Sequence, residues 1–473
     1  MAATLSIVFA FAVIAVGGRL VYQPMLSRFP IPRTLASVLV ALAGLYLVSV
    51  LYFFSLGSFG ASRFGLAAAE VLAIALILVG VIGLRNRQSR SSSAVADNFL
   101  PTTVSGWPGR VALLFAGGLI CAYTAGFVIR SVKAPHGYID AVITWNRGAR
   151  FLFRDKEHWL NNFEVLVGQF QPDYPLFLQS TIARLWTYLG SESQAVPPLV
   201  AYGFVALSAA LLYTSLAHLR GRAAAAFALC LLVGSTIFVK SSFDQVADVP
   251  IATFILASIV VLSLGERHGL NTLSRWALAG AFAGAAAWMK NEGGLFVMAL
   301  GAAAVLGAGR PWFRQETLRR VLGYGLGAVI TLIPVLVLKL WYAPPSYLAD
   351  GGLDAVIVRL TDGSRYLEVL GLMVAHVVRL DTLPIPVLAL LALLGGFERA
   401  IAHREAVMAG VMTVAFLMIG YYLFYMVTPF TVAWHVDTSF TRLLTQLLPV
   451  GLFLFFSSVR VPHTFAGGER KTA

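Results

Sequence analysis

Charged residues and cysteines are both scarce in this chain. Of its 473 residues only 12% are Asp, Glu, Lys or Arg, whereas 58% are hydrophobic, and the mean hydropathy is +0.80. A soluble protein of this length cannot cover its surface with so few charges. The composition therefore excludes a soluble globular enzyme and predicts a polytopic membrane protein.

The two cysteines and the missing motifs exclude several classes of protein. Cys121 and Cys230 lie in separate apolar runs, so the sequence predicts neither a disulfide framework nor a thiolate metal site. No Walker A, GxSxG, HExxH or paired CxxC motif is present, which argues against an ATP-driven pump and a zinc protease. The first apolar run, residues 5–16, lacks a basic leader and a small-residue cleavage site, and we expect it to be a retained span.

The formal net charge of +13 does not indicate nucleic-acid binding, because the Lys and Arg residues lie in short clusters between apolar runs. Such clusters are typical of cytoplasmic loops beside anionic lipids. If they are placed inside, the remaining segments lie on the outer side and hold most of the Asp and Glu residues. These outer segments are 130–195, 240–249, 290–293, 342–382 and 428–440.

Apolar runs of about 16–22 residues recur along the chain, and each approaches the ~20 residues that a helix needs to cross the hydrocarbon core. Because unpaired backbone groups are not tolerated in lipid, we expect helices rather than strands. The prediction is an all-α polytopic membrane protein with about 13 transmembrane helices. The runs are 3–18, 34–56, 64–84, 110–129, 196–217, 223–239, 250–264, 276–290, 294–308, 321–341, 383–397, 407–427 and 441–458.

Two further apolar segments are predicted not to cross the membrane. Counting residues 173–189 as a span would turn the basic loop at 218–222 outward. We therefore expect an interfacial or re-entrant helix there, with Tyr174, Trp186 and Tyr188 near the lipid headgroups. Residues 368–378 are too few to cross.

A polar linker divides the chain. Residues 89–109, rich in Ser and Thr, are predicted to be cytoplasmic and to separate three N-terminal helices in residues 1–88 from a main transmembrane domain in residues 110–460. Residues 461–473 form a predicted cytoplasmic tail.

Asp140 is the residue around which we place the candidate active site. It lies in a polar segment, HGYIDAVITWNRGARFLFR, shortly beyond the end of an apolar run. A carboxylate is costly at such a membrane boundary, so its presence indicates a functional site. Trp145, Asn146 and Arg150 of the same segment are candidate substrate-binding residues.

Three arginines in this segment, Arg147, Arg150 and Arg154, have the spacing i, i+3, i+7 and would share one face of a helix. Their position on the outer side runs against the usual charge bias, which favours contact with an anion such as phosphate. The alternative is a solvated loop with structural ion pairs to the nearby residues Asp155, Glu157 and Glu164.

A second acidic element, FDQVADVP, lies in the next outer loop. Asp244 and Asp248 are spaced i, i+4, so both carboxylates could face one cavity and bind a divalent metal or position a hydroxyl group. The alternative is that Asp248 only caps the helix that follows.

Two later elements carry cations. In WMKNEGG, Lys290 beside Glu292 could bind a lipid phosphate, or Lys290 could be a lysine that extends to the membrane surface from a polar turn. In WHVDTSFTRLLTQLLP, Arg442 follows several hydroxyl side chains at the outer end of the last span, which suits a phosphate oxyanion. His435 in the same element is either functional or structural.

Taken in order, these elements resemble a known family. The order is YIDAVITWNRGARFLF, then DYPLFLQ with Tyr174, FDQVADVP, KNEG and TRLLTQLLP. It is similar to the GT-C superfamily of integral membrane glycosyltransferases, in the bacterial branch related to the Rgt and ArnT sugar transferases. The resemblance covers residues 110–460.

The resemblance implies transfer of a hexosyl or pentosyl group from a polyprenyl-phosphate donor to a lipid-linked glycan or other cell-envelope acceptor. The active site would face the periplasm from the bacterial inner membrane. By position, Asp140 would be the catalytic base or a metal contact, Asp248 the second acidic residue with Asp244 as helper, and Lys290 and Arg442 would hold the donor phosphate.

The cofactor question stays open at this point. Ile139 precedes Asp140 where the commonest pattern has an acidic pair, which leaves dependence on Mg or Mn at Asp140 and Asp248 undecided. Tyr174 and Glu292 complete the predicted substrate-binding set.

Two other functions remain as alternatives. A non-enzymatic transporter or flippase of lipid-linked or small polar solutes predicts broken helices, repeat symmetry and polar residues at midplane depth. An enzyme predicts carboxylates and cations gathered in outer loops, which is the pattern seen. An O-antigen ligase or polymerase would share the lipid donor but rely on Arg and His rather than Asp.

Overall fold

A computed structural model describes residues 2–26, 31–58, 62–87, 107–154, 157–164, 171–307, 315–346, 352–379, 384–398 and 404–460. Its described backbone is helical apart from connecting turns and one antiparallel bridge between Phe397 and Val459. The all-α prediction is confirmed. Most of the predicted linker, the predicted tail and Asp155 lie outside the described residues.

The described residues form eighteen α-helices. We number them α1 Ala2–Leu26, α2 Arg33–Ser58, α3 Arg63–Arg87, α4 Trp107–Lys133, α5 Arg147–Arg154, α6 Phe177–Leu189, α7 Val196–Leu219, α8 Arg222–Val233, α9 Thr236–Phe243, α10 Asp248–Arg267, α11 Thr272–Met289, α12 Asn291–Leu306, α13 Gln315–Trp341, α14 Gly352–Thr361, α15 Gly363–Val378, α16 Ile385–Gly395, α17 Glu405–Val427 and α18 Val432–Ser458.

All thirteen predicted apolar runs coincide with helices, but the number of spans is not confirmed. Within the described ranges, seven helices are long and apolar enough to cross a membrane: α2, α4, α7, α10, α13, α17 and α18. Helices α8 and α9 pass the same test together, although the chain bends by 60° between them, and would make an eighth. The chain is therefore a multi-pass membrane protein.

Helix α6 lies inside the protein rather than at its surface. Its 13 residues span about 20 Å, which is too short to cross the bilayer, as predicted. However, it packs against α1, α2, α5 and α7, and Trp186 and Tyr188 are 0% and 1% exposed. These two aromatic residues therefore contact neighbouring helices rather than lipid, while their depth near the headgroups stays a prediction.

The three N-terminal helices contact the rest of the protein through buried polar groups. Arg184 of α6 donates from Nε to Oε1 of Glu70 in α3 at 2.6 Å, and both side chains are buried. Trp288 of α11 donates to the Ser49 hydroxyl of α2 at 3.1 Å. These helices share one hydrophobic core with the later ones, while the domain boundary at residue 88 stays a prediction.

The end of the bundle predicted to face the cytoplasm is held by ion pairs. Glu405 at the start of α17 accepts hydrogen bonds from Arg275 and from the Trp276 indole at 2.7 Å, and it forms an ion pair with Arg320, whose Nε lies 3.1 Å from Glu405 Oε1. Asp248 begins α10 and Arg267 ends it, so the carboxylates of the outer loops lie at the opposite end.

Candidate active site

Arg442 of α18 joins the two predicted catalytic carboxylates. Its Nε donates to Oδ2 of Asp248 at 3.0 Å, and its Nη1 donates to Oδ2 of Asp140. Asp140 immediately precedes a π-helical turn, Ala141–Asn146, and Asp248 is the first residue of α10. The fold thus brings together three residues that are up to 302 positions apart in the sequence.

Asp248 is fully buried and surrounded by donors. Its Oδ1 accepts from Lys290 Nζ at 3.0 Å and from Gln446 Nε2 at 2.7 Å, while its Oδ2 accepts from Arg442. In the described part of the chain these partners are side chains, and none is a backbone N–H group of α10. Asp248 therefore balances the buried Lys290 and the partly exposed Arg442, which differs from the predicted capping alternative.

Lys290 lies behind the carboxylates. It is 2% exposed, its Nζ lies 2.6 Å from Oε1 of Glu292, and it sits 5.8 Å from the centroid of the Tyr174 ring. Tyr174 in turn stacks on Trp145, with ring centroids 5.4 Å apart and an interplanar angle of 5°. Four of the predicted substrate-binding residues thus form a packed layer that supports Asp248.

A cavity of about 770 Å³ opens at this end of the bundle. Asp140 and Arg442 lie in its wall with 37% and 27% of their side chains exposed, and His435 lines it as well. Asp248, Lys290 and Glu292 are not among its lining residues. Asp140 is therefore the predicted catalytic carboxylate with direct access to a ligand in this space.

Sequence reasoning missed two cations of the cavity wall. Lys240, in the last turn of α9, and Arg379, just after α15, both line the cavity. The signal was present, because both lie in segments predicted to be outside, where Lys and Arg run against the usual charge bias. Each adds positive charge near Arg442.

The predicted helical spacing of Asp244 and Asp248 does not occur. Helix α9 ends at Phe243, and Gln245 has a positive φ of 57°, so the chain turns before α10 begins. As a result Asp244 lines the cavity while Asp248 points into the protein. Burial raises the pKa of the Asp244 carboxyl, against the opposing effects of Arg130 and Lys240.

The predicted outer segments 130–195 and 240–249 are in contact at Gly137. The backbone N–H of Tyr138 donates to the Asp244 carbonyl oxygen at 3.1 Å. Gly137 has φ +75°, and a Cβ at this position would overlap the same carbonyl oxygen. Only glycine accommodates both the conformation and the close approach, and this contact positions Asp140 beside Asp244 in the cavity wall.

The arginine face of α5 forms as predicted, but an internal carboxylate occupies it. Glu192, in the turn after α6, accepts from Arg154 at 2.7 Å and lies 3.6 Å from Arg150. Arg150 also contacts His136 Nε2 at 3.3 Å, and Asn146 donates to the His136 carbonyl at 2.9 Å. Arg150 and Arg154 therefore form structural ion pairs, as in the alternative interpretation, but their partner is Glu192 rather than an acidic residue close in sequence.

Glu192 provides a pH-dependent prediction. The hydrogen bond from Arg154 is the largest influence and lowers the pKa of Glu192. A lowered pKa stabilises the fold above the unfolded-state pKa, and this contribution is lost as the pH falls through the folded-state pKa. We expect Glu192→Gln to cost at most about 1 kcal/mol near neutral pH, because Arg154 is largely exposed.

The measurement is thermal unfolding in detergent across a pH series. The wild type and Glu192→Gln should differ at pH 7, begin to converge as the pH falls through the ordinary pKa of a glutamate, and become equal below the lowered pKa of Glu192 in the folded protein. A difference that persists in acid would contradict the ion-pair explanation.

The residues present do not fit a divalent cation held between Asp140 and Asp248. Both Asp248 oxygens are engaged by Lys290, Gln446 and Arg442, and Arg442 occupies the position between the two carboxylates. The described residues also contain no group of three or more His, Cys, Asp and Glu side chains placed to hold a metal.

A helical multi-pass protein with carboxylates and cations around a cavity at one end of its bundle fits the class of integral membrane glycosyltransferases. Residues 173–341 match the model of the dolichyl-phosphate-mannose-protein mannosyltransferase family, a family of the GT-C superfamily. The predicted GT-C resemblance is thus confirmed, and the match supports a membrane glycosyltransferase with a polyprenyl-phosphate-linked sugar donor. No curated protein and no solved structure matched the chain.

The matched segment covers helices α6 to α13. It contains Asp248, Lys290 and Glu292, whereas Asp140 and Arg442 lie before and after it. The contact between Arg442 and both carboxylates therefore joins the matched segment to the flanking parts of the chain.

Proposed function

We propose that this protein transfers a hexosyl or pentosyl group from a polyprenyl-phosphate donor to a cell-envelope acceptor at the periplasmic face of the bacterial inner membrane. The observation that carries the proposal is the Arg442 guanidinium shared by Asp140 and Asp248 at the cavity wall. Arg442, which would stabilise a leaving phosphate, is thus held by Asp248 beside Asp140, which would accept a proton.

Asp140 acts as the base in this proposal. Its partly exposed carboxylate takes the proton from the acceptor hydroxyl as that oxygen attacks the anomeric carbon. The bond from the anomeric carbon to the phosphate oxygen breaks, and its electron pair leaves with the polyprenyl phosphate. A single displacement of this kind inverts the configuration of the anomeric carbon.

The cations of the cavity wall bind the departing phosphate. Arg442 presents a guanidinium beside Asp140, and Lys240 presents an exposed ammonium at the end of α9. Negative charge on the phosphate grows as the bond to the sugar breaks, so fixed cations stabilise the transition state more than the ground state. Lys290 acts through Asp248, which holds Arg442 in place.

The periplasmic placement rests on charge distribution. The candidate site lies at the end of α10 opposite Arg267, and the ion pairs of Arg220, Arg275 and Arg320 lie in the loops predicted to be cytoplasmic. The positive-inside rule therefore supports an outer position for Asp140 and the cavity. Accessibility of a single cysteine at Ile139 to a membrane-impermeant thiol reagent in intact cells tests this orientation.

The activity is tested with purified full-length protein and a set of short-chain polyprenyl-phosphate sugars. We expect donor consumption, either as transfer to an added acceptor or as slow hydrolysis by water. Binding of the lipids without any consumption would instead favour a transporter, which could use the bend between α8 and α9 beside the cavity.

Removal of divalent cations gives a separate prediction. Cations of the protein already engage both oxygens of Asp248, and Arg and Lys side chains would neutralise the phosphate charge. We therefore expect EDTA to leave the rate of donor consumption within about twofold of the untreated rate. The readout is donor consumption after chelation and after re-addition of Mg or Mn. Loss on chelation with recovery on re-addition would assign a metal to the reaction.

A further inference from the structure

A second set of cavity residues lies along α18, beyond Arg442. Trp434, Thr438 and Arg442 are spaced i, i+4, i+8, so they follow one face of the helix, and all three line the cavity. Eight residues of helix correspond to about 12 Å along its axis. Trp434 therefore lies farther from Arg442 than the length of one sugar ring.

Trp434 and Phe430 form an aromatic platform in this part of the wall. Their ring centroids lie 5.2 Å apart, and half of Trp434 is exposed although it belongs to a tightly packed element. His435 lies against both rings, 5.3 Å from Phe430 and 6.1 Å from Trp434. Since His435 is only 6% exposed, it supports the platform from behind.

The platform is fixed to the fold. His435 Nδ1 lies 2.6 Å from the Thr428 hydroxyl, and the Thr428 carbonyl accepts from Arg365 of α15 at 2.8 Å. Arg359 of α14 binds the neighbouring Val427 carbonyl at 2.9 Å. The short connection between α17 and α18 is thus held by two arginines, which keeps the aromatic surface in one orientation.

Polar groups border the platform. Asp437 is 62% exposed, and its Oδ1 lies 3.4 Å from Nε2 of His376 on α15, which packs against α18. Thr438 and Arg379 line the same region. The two rings meet edge to face at 61°, so the flat face on offer is that of the half-exposed Trp434 indole, with Phe430 at its edge. An exposed indole with hydroxyl and carboxylate groups nearby suits a ring with an apolar face and hydroxyl edges, which describes a sugar better than a polyprenyl chain.

We propose that Trp434 and Phe430 bind a saccharide ring of the acceptor, so that the acceptor is a carbohydrate-containing molecule. This rests on the proposed function, which places the sugar under transfer in the cavity against the contacting pair Asp140 and Arg442, with its phosphate on Arg442 and the attacking hydroxyl on Asp140. The next ring along the cavity then belongs to the acceptor. Asp437 accepts hydrogen bonds from hydroxyl groups of that ring, and His435 is a positioning residue.

The first test compares transfer with hydrolysis. We expect Trp434→Ala to lower kcat/KM for the saccharide acceptor by about 10–100-fold, chiefly through a higher KM, and to leave slow donor hydrolysis within about twofold of the wild type. Trp434→Phe should recover most of the loss. Trp341→Ala, which removes another exposed Trp outside the cavity, is the matched control.

Equal losses of transfer and hydrolysis in Trp434→Ala would overturn the proposal, because they would place the platform in the donor site, including its polyprenyl chain. An unchanged acceptor KM would overturn it as well. Failure of the proposed function is distinguishable, since the wild type itself would then consume no donor.

A binding measurement keeps the inference testable without turnover. Mannotriose, maltotriose and galactotriose are titrated into the Asp140→Asn protein while tryptophan fluorescence is recorded. At least one trisaccharide should change the signal, and the change should be lost in Asp140→Asn/Trp434→Phe but kept in Asp140→Asn/Trp341→Phe. A response that is absent, or unaffected by Trp434→Phe, contradicts the saccharide platform.

Discussion

Asp140→Asn is expected to reduce sugar transfer by about 10²–10⁴-fold, because the amide cannot accept the proton of the attacking hydroxyl. The change keeps the shape of the side chain, and Arg442 retains its 3.0 Å contact with Asp248. Donor binding should therefore persist. Transfer and donor hydrolysis by purified wild type and variant, with thermal unfolding to confirm equal folding, measure this effect.

Asp244→Asn is the matched control, since Asp244 is a second carboxylate of the same cavity wall and has a raised pKa. We expect it to retain most of the activity. If Asp244→Asn loses activity and Asp140→Asn does not, Asp244 is the base. If neither substitution matters, the reaction uses Arg and His in the manner of an O-antigen ligase or polymerase.

Asp248→Asn is expected to lower stability as well as activity. Asp248 is fully buried and compensates Lys290 and Arg442, so its loss leaves buried positive charge with less compensation. Removing one partner of a buried ion pair costs about 3–5 kcal/mol, and the lower end applies here because Glu292 and Asp140 retain contacts with the two cations. Thermal unfolding in detergent measures the loss.

The double variant Asp248→Asn/Lys290→Met separates the two effects. It removes one charge of each sign, so part of the lost stability should return, while activity stays low because Arg442 is no longer held. An Asp248→Asn protein as stable as the wild type but inactive would contradict the positioning function. It would place Asp248 in direct contact with the reacting groups.

Membrane character and helix positions were predictable because they depend on local properties. Each apolar run needs only its own composition to become a helix in lipid, so all thirteen runs appear as helices. The break at Lys290 was predicted from the polar turn between two apolar runs, whereas the bend between α8 and α9 was not, because both helices lie within the single predicted run 223–239. The bend depends on how neighbouring helices satisfy the backbone at that point.

The individual residues of the site were predictable as chemical types. Asp140, Asp248 and Arg442 stand out because charge is rare in this chain and lies at the ends of apolar runs. Their relation to one another was not, because a contact across 302 positions leaves no local signal. Lys240 and Arg379 are a second case. Their location in predicted outer segments could be read from the sequence, but their place in the cavity wall could not.

The sequence by itself determined that this is a helical membrane protein with its acidic and basic chemistry at one end of the bundle, since hydropathy and charge bias act along the chain. Only the tertiary structure decided which carboxylate faces the cavity. Asp140 reaches it, whereas Asp248 is buried between Lys290 and Arg442. The packing of α10 against α18 holds Asp248 inside the bundle, and the turn at Gln245 leaves its neighbour Asp244 in the cavity wall.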